Sequence, residues 1–124
     1  KALFETAEAL GCNKIAFGHH KDDLIETLFL NLFYGGSVST MVPVQRFFDG
    51  KITAIRPLYR LEEKVVARFA RDMGWPGIDL GCPTAGRSKR SEVREMLRRF
   101  YRSNPKIKGN IFHAIQNVRE EYLP

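Results

Sequence analysis

The segment Lys14-Ile15-Ala16-Phe17-Gly18 limits what this chain can fold into more than any other stretch. It is a brief apolar run between turn residues, the pattern of a strand buried on both faces in a parallel sheet. A helical pattern from about Asp22 to Tyr34 follows it, polar at the start and then apolar nearly all round through Leu24, Ile25, Leu28, Phe29, Leu30, Leu32 and Phe33. Such a helix needs cover on every side, from further residues or from a second copy in a homodimer.

The remaining elements can be placed around this pair. Leu3, Phe4, Ala7 and Leu10 predict a first helix that stops at Gly11. A loop from Gly35 to Pro43 leads into Val44–Phe48, Asp49-Gly50 and Lys51–Ile55, where Asp-Gly between two β-type runs predicts a hairpin. After Arg56-Pro57-Leu58, a third helix carries Leu61, Val65, Val66, Phe69 and Met73 on one face and stops at Gly74. A connector containing Cys82 leads to a fourth helix, about Ser88 to Ser103, with a core stripe of Val93, Met96, Leu97 and Phe100. A last helix, near Asn110 to Tyr122, carries Phe112, Ile115 and Val118. This order predicts an α/β layer fold with a helical C-terminal extension, in one domain spanning residues 1–124.

A chain of 124 residues, 44% of them apolar, can bury about two thirds of its unfolded surface, so folding needs no disulfides. Cys12 and Cys82 lie far apart with no basic and apolar leader, which points to a reducing cytoplasm, with Cys12 as a packed core thiol. The longest apolar stretch, Leu28 to Tyr34, falls far short of the roughly 20 residues of a membrane helix. Lys1 opens directly into a helical pattern with no cap, and the chain is expected to be a fragment.

Three segments could carry chemistry. The first is Gly18-His19-His20-Lys21-Asp22-Asp23, where a strand gives way to a helix. Ligands bind at this end of parallel strands, and helix N-termini offer N–H groups to anions. Asp22 and Asp23 compete with a phosphate there unless a divalent cation lies between them or they accept substrate protons. The bland alternative is capping, since Asp23 with Glu26 resembles a capping box. A third reading is a zinc or iron site, because His19, His20, Asp22 and Asp23 are all ligand types, although neighbouring histidines point in different directions.

The second segment is Gly81-Cys82-Pro83-Thr84, whose thiol is a buried small residue, a reactive thiolate or a ligand with partners elsewhere. Two cysteines cannot supply the four thiolates an iron–sulfur cluster typically takes. The third is the run from Arg87 to Lys108, where nine Lys and Arg face two Glu, a surplus greater than the net +6 of the whole chain. A solvated face is the usual fate of charge runs. Here acids are scarce, so the stripe Arg90, Arg94, Arg98 and Arg102, with Arg87 and Lys89, points to a nucleic-acid phosphate backbone as its partner. Gly35-Gly36-Ser37 is no phosphate loop, since the Lys-Ser/Thr ending is missing.

His19-His20-Lys21-Asp22-Asp23-Leu24-Ile25-Glu26-Thr27, then Phe29 to Gly36, Ile55-Arg56-Pro57-Leu58 and Ala114-Ile115-Gln116-Asn117-Val118, resemble in order the C-terminal part of the PP-loop ATP pyrophosphatases that modify tRNA, the 2-thiocytidine synthetases above all. The resemblance implies a Rossmann-like α/β layer fold, ATP and magnesium, adenylation of a base carbonyl oxygen, and displacement of AMP by sulfur delivered at a [4Fe-4S] cluster. It implies further that Asp22 and Asp23 are the acidic pair near ATP, with Gly18, His19 and His20 beside them. Cys82 would then be the third cluster cysteine, and the basic helix the tRNA face. The family's Ser-Gly-Gly-x-Asp-Ser loop and its Cys-x-x-Cys pair do not occur in these 124 residues, so the fragment alone is expected to be inactive. Enzymes making 2-thiouridine or lysidine, and a nonenzymatic RNA-binding module, are the alternatives.

Overall fold

A computed structural model describes residues 1–77 and 88–124. Cys82 and Arg87, both singled out above, lie outside the described residues. The chain divides into two compact units, one of residues Lys1–Leu24 and Thr40–Pro76, the other of Ile25–Ser39 and Gly77–Pro124.

In the first unit, helix α1 (Ala2–Ala9) precedes strand β1 (Lys14–Ala16), and strands β2 (Val44–Phe47) and β3 (Ile52–Ile55) form a hairpin ahead of helix α3 (Glu63–Asp72). Helix α2 (Lys21–Tyr34) gives its first turn to this unit and the rest to the other. The sheet order is β1-β3-β2, with β1 parallel to β3 (Ile15 opposite Ala54) and β2 antiparallel to it. The expectation that residues 14–18 form a strand buried on both faces is corrected: β1 is three residues long and only Ile15 is even half-buried. The central β3 takes the buried position instead, with Ile52 and Ala54 shielded, because it alone has a neighbour on each edge among the described strands.

Both predicted helix stops are Schellman turns, with glycine in the left-handed conformation that side chains disfavour. Gly11 has φ +67°, with Gly11 N–H on the Glu8 carbonyl and Cys12 N–H on that of Ala7; Gly74 has φ +68°, with matching bonds to Arg71 and Ala70. The hairpin closes not on a two-residue Asp49-Gly50 turn but on four residues, since Phe47 pairs with Ile52. Phe48 and Asp49 share the positive φ with Gly50. A phenylalanine is strained there, and its ring lies edge-on to Phe4, 5.6 Å between centroids.

In the second unit, the remainder of α2 is accompanied by helices α4 (Lys89–Ser103) and α5 (Ile107–Gln116) and a short 3-10 turn, Glu120–Tyr122. Its core is Ile25, Val93 and Leu97, flanked by Phe29, Leu30, Met96, Tyr101, Ile111 and Phe112. The Ser88 hydroxyl caps α4 by accepting the Ser91 N–H. The last helix starts and ends earlier than its apolar spacing suggests, leaving Val118 exposed. Phe100 is exposed rather than part of the core stripe, and Leu32, Phe33 and Tyr34 at the end of α2 are also exposed. No helix among the described residues is long and apolar enough to cross a membrane.

Candidate active site at the start of helix α2

Past β1, the Phe17 N–H still reaches the Ile55 carbonyl at 2.9 Å, and the chain then crosses through Gly18, His19 and His20 to α2. His20 occupies the cap position: its backbone N–H donates to Asp23 Oδ2 at 2.9 Å, while its carbonyl accepts the Leu24 N–H. Asp23 therefore fills the inner half of a capping box, reaching back to His20, instead of capping a turn closed by Glu26. The His20 ring folds over the same carboxylates, with Nδ1 at 3.3 Å from Asp23 Oδ2 and 3.9 Å from Asp22 Oδ2. Those distances allow ion pairing when the ring is protonated, yet no hydrogen bond of good geometry reaches Nδ1, which is buried. A buried polar atom left unmet beside two carboxylates is costly.

Asp22 works in another direction. Its Oδ2 accepts the Glu63 N–H at 2.7 Å, supplying the cap that Glu62, at the start of α3, does not provide from its own side chain. The Lys21 N–H on the Leu61 carbonyl fixes the same junction.

His19 is held by Arg56, which the sequence offered only as part of a motif. Arg56 is buried; its Nη1 donates to the Val42 carbonyl at 2.6 Å and its Nε to His19 Nδ1 at 3.2 Å. A nitrogen that accepts from a guanidinium carries no proton, so the His19 ring proton is on Nε2. Phe17 stacks on the His19 ring, 5.4 Å between centroids. A basic residue directly after a buried strand was the available signal for this arrangement.

Among the described residues no three or more His, Cys, Asp and Glu gather as a self-sufficient metal site. Two carboxylates at a helix N-terminus instead suit a magnesium ion, which commonly takes one or two carboxylates and completes its shell with water and substrate phosphates. The chemistry open to this end of the sheet is therefore phosphate binding shared with a hard cation.

The basic residues lie in the second unit, and part of their charge is met internally. Glu26, 3% exposed, receives Arg94 through both Nε (2.8 Å) and Nη2 (3.2 Å), and Arg90 Nη1 at 3.1 Å. Arg99 and Arg102 approach Glu95 at 3.9 and 3.7 Å. The Lys89 ammonium lies over the Tyr34 ring, and the Tyr34 hydroxyl donates to Glu92. The sequence shows the acids near the arginines on their own helix and gives no sign of Glu26, 64 and 68 residues away.

Cys12 is exposed, which corrects its reading as a packed core thiol. The Schellman turn at Gly11 sends its side chain outward, where it lines a cavity of about 790 Å³ with Phe4, Glu8, Phe48 and Ile52.

Comparison with known proteins gives the chain a context. A family model described as a PP-loop domain matches residues 1–99. The chain is 43% identical over 122 residues to a tRNA-cytidine(32) 2-sulfurtransferase of Alkalilimnicola ehrlichii, and 38% identical over 123 residues to a protein of the same name from Geobacter metallireducens. Each alignment covers 98% of this chain, which spans 39% and 48% of the two relatives' lengths. Among solved structures, it matches a U34-tRNA thiolase, NcsA from Methanococcus maripaludis, described with its [4Fe-4S] cluster, at a TM-score of 0.71 and 22% identity, over 99% of this chain and 41% of that one. That structural likeness supports the α/β fold of the described residues.

Proposed function

Since this chain belongs to the PP-loop family, we propose that it is the C-terminal part of a PP-loop ATPase domain in an enzyme that thiolates tRNA at a cytidine. An oxide is a poor leaving group on a base carbon. Transfer of the ATP adenylyl group to the carbonyl oxygen releases pyrophosphate and turns that oxygen into part of an AMP leaving group, which sulfur displaces. The observation that carries the reading is the convergence of Asp22 and Asp23 on the buried Nδ1 of the half-buried His20 ring, at a strand end that opens into a helix N-terminus.

In this reading Asp22 and Asp23 hold magnesium against the nucleotide phosphates, and His19, with its proton fixed on Nε2 by Arg56, offers a neutral N–H donor beside Gly18. When bound, the ion would stabilise negative charge that develops on phosphate oxygens. His20, above the carboxylates, keeps their orientation.

Cys82 is the candidate cluster ligand. The described residues gather no cluster site around Cys12, and the further thiolates a [4Fe-4S] cluster takes would come from outside this chain. The α4 face with Lys89, Arg90, Arg94, Arg98 and Arg102, together with Arg87, belongs in this reading to tRNA. A sulfur donor, a cytoplasmic setting and the exposed end of α2 as a dimer contact complete the proposal.

The test is Asp22→Asn with Asp23→Asn in the full-length protein: thiolation is lost and tRNA affinity is kept. Retained thiolation would remove the acidic pair from the chemistry. If tRNA is bound but ATP is never consumed by the wild type, the RNA-binding module takes its place.

A further inference from the structure

The arginines of α4 differ in what holds them. Four residues advance an α-helix by about 40° round its axis, so Arg90, Arg94, Arg98 and Arg102 form a drifting row rather than a straight one. Arg90 and Arg94 flank the buried Val93 and Leu97; Arg98 and Arg102 come round to the far side and are exposed. The first two meet Glu26, whose side chain is 4% exposed while theirs are 41% and 40% exposed. Arg90 also reaches the Thr27 hydroxyl.

A carboxylate this deeply buried is tolerable only while its oxygens are filled by charged donors. An arginine that left Glu26 to grip a phosphate would strand that charge, so nucleic acid and Glu26 compete for the same guanidinium edges. Arg102 pairs with the exposed Glu95 at 3.7 Å, the kind of surface pair that contributes little and exchanges readily for a phosphate.

We infer that Glu26 is a positioning residue of the tRNA face: it takes Arg90 and Arg94 as a brace between α2 and α4, fixes the rotation of α4, and leaves Arg98 and Arg102 as the phosphate contacts. This rests on the proposed tRNA face and redistributes the work within it. The brace also explains why basic residues are tolerated beside the core stripe, since the buried carboxylate meets two of them.

The test uses the full-length protein and an unmodified tRNA transcript, with affinity measured across salt concentrations and Tm measured in parallel. Each phosphate contact contributes about 0.7–0.9 to the slope of log affinity on log salt. Arg98→Gln with Arg102→Gln should flatten the slope by roughly 1.5 and leave Tm in place. Arg90→Gln with Arg94→Gln should lower Tm and leave the slope unchanged. Arg94→Lys, which keeps the charge but cannot make the bidentate pair, should lower Tm as well. Glu26→Gln, which removes the competing charge, should lower Tm and steepen the slope as Arg90 and Arg94 become available to phosphates, a change that loss of stability alone would not produce in protein that is still folded.

A slope loss in the Arg90 and Arg94 variant equal to that of the Arg98 and Arg102 variant overturns the division. So does a wild-type slope in Glu26→Gln. If every variant, Arg98 and Arg102 included, binds tRNA with the wild-type slope, the tRNA face itself is wrong and the inference falls with it.

Discussion

Asp22 carries a structural task and a proposed chemical one, and the two can be separated at a single atom. Its Oδ2 takes the Glu63 N–H at 2.7 Å, so it caps α3 from another element. Asp22→Asn leaves an oxygen in that place, and asparagine caps about as well as aspartate. Asp22→Ala removes the acceptor. Cap substitutions to alanine cost about 0.5–2 kcal/mol, and a side chain only 12% exposed, with a charged acceptor, belongs in the upper half, near ~1.5 kcal/mol. With a urea m-value of about 1–3 kcal/mol/M, alanine should move the midpoint down by roughly 0.5–1.5 M and asparagine hardly at all. The single tryptophan reports it: Trp75 follows the end of α3 and lies edge-on to Phe69 at 5.7 Å. Because the asparagine variant keeps its cap, loss of AMP release by that variant in the full-length protein is loss of chemistry, not of fold. Equal midpoints for the two variants would show that α3 does not depend on Asp22. AMP release retained by Asp22→Asn would take Asp22 out of the reaction.

Other perturbations give independent checks. Ile25, fully buried against Val93 and Leu97, should cost about 2–5 kcal/mol on truncation to alanine, whereas exposed Leu10 should cost little; urea unfolding compares them. The Tyr34 hydroxyl bond to the Glu92 carboxylate, helped by desolvation and the nearby negative charge, raises the phenol above its ordinary value. That bond is present while the phenol is protonated and is lost as pH rises through the raised value. The tyrosinate absorbance assigned by comparison with Tyr34→Phe should therefore appear late, and Glu92→Gln should bring it earlier. Arg56→Met should leave the Val42 carbonyl without its guanidinium and release the His19 tautomer, which the ring-nitrogen resonances of His19 will show as a mixture. The 124-residue chain alone, which contains no Ser-Gly-Gly-x-Asp-Ser loop, should release no AMP from ATP with tRNA present.

The order of elements was readable because its signals are local. Gly11 and Gly74 mark helix ends through backbone conformation alone, and the periodicity of Val93 and Leu97 marks a core stripe whatever lies opposite. What stayed hidden depends on partners distant in sequence. β1 reads as a buried strand, yet its burial depends on how many neighbours the sheet gives it, and it has one among the described strands. Asp23 and Glu26 look like one capping pair by spacing, but Asp23 turns back to His20 while Glu26 faces Arg90 and Arg94 across the second unit. Nor does the arginine spacing reveal a brace, because the neutralising carboxylate lies on another helix. The two aspartates were legible as a site by position at a strand end; their individual hydrogen bonds were not.

The most direct measurement follows an oxygen atom. In the full-length protein, a tRNA whose target cytidine carries a heavy oxygen isotope at the carbonyl should yield AMP bearing that isotope, one labelled AMP for each thiolated base. Thiolated tRNA formed alongside unlabelled AMP would contradict adenylation of the base.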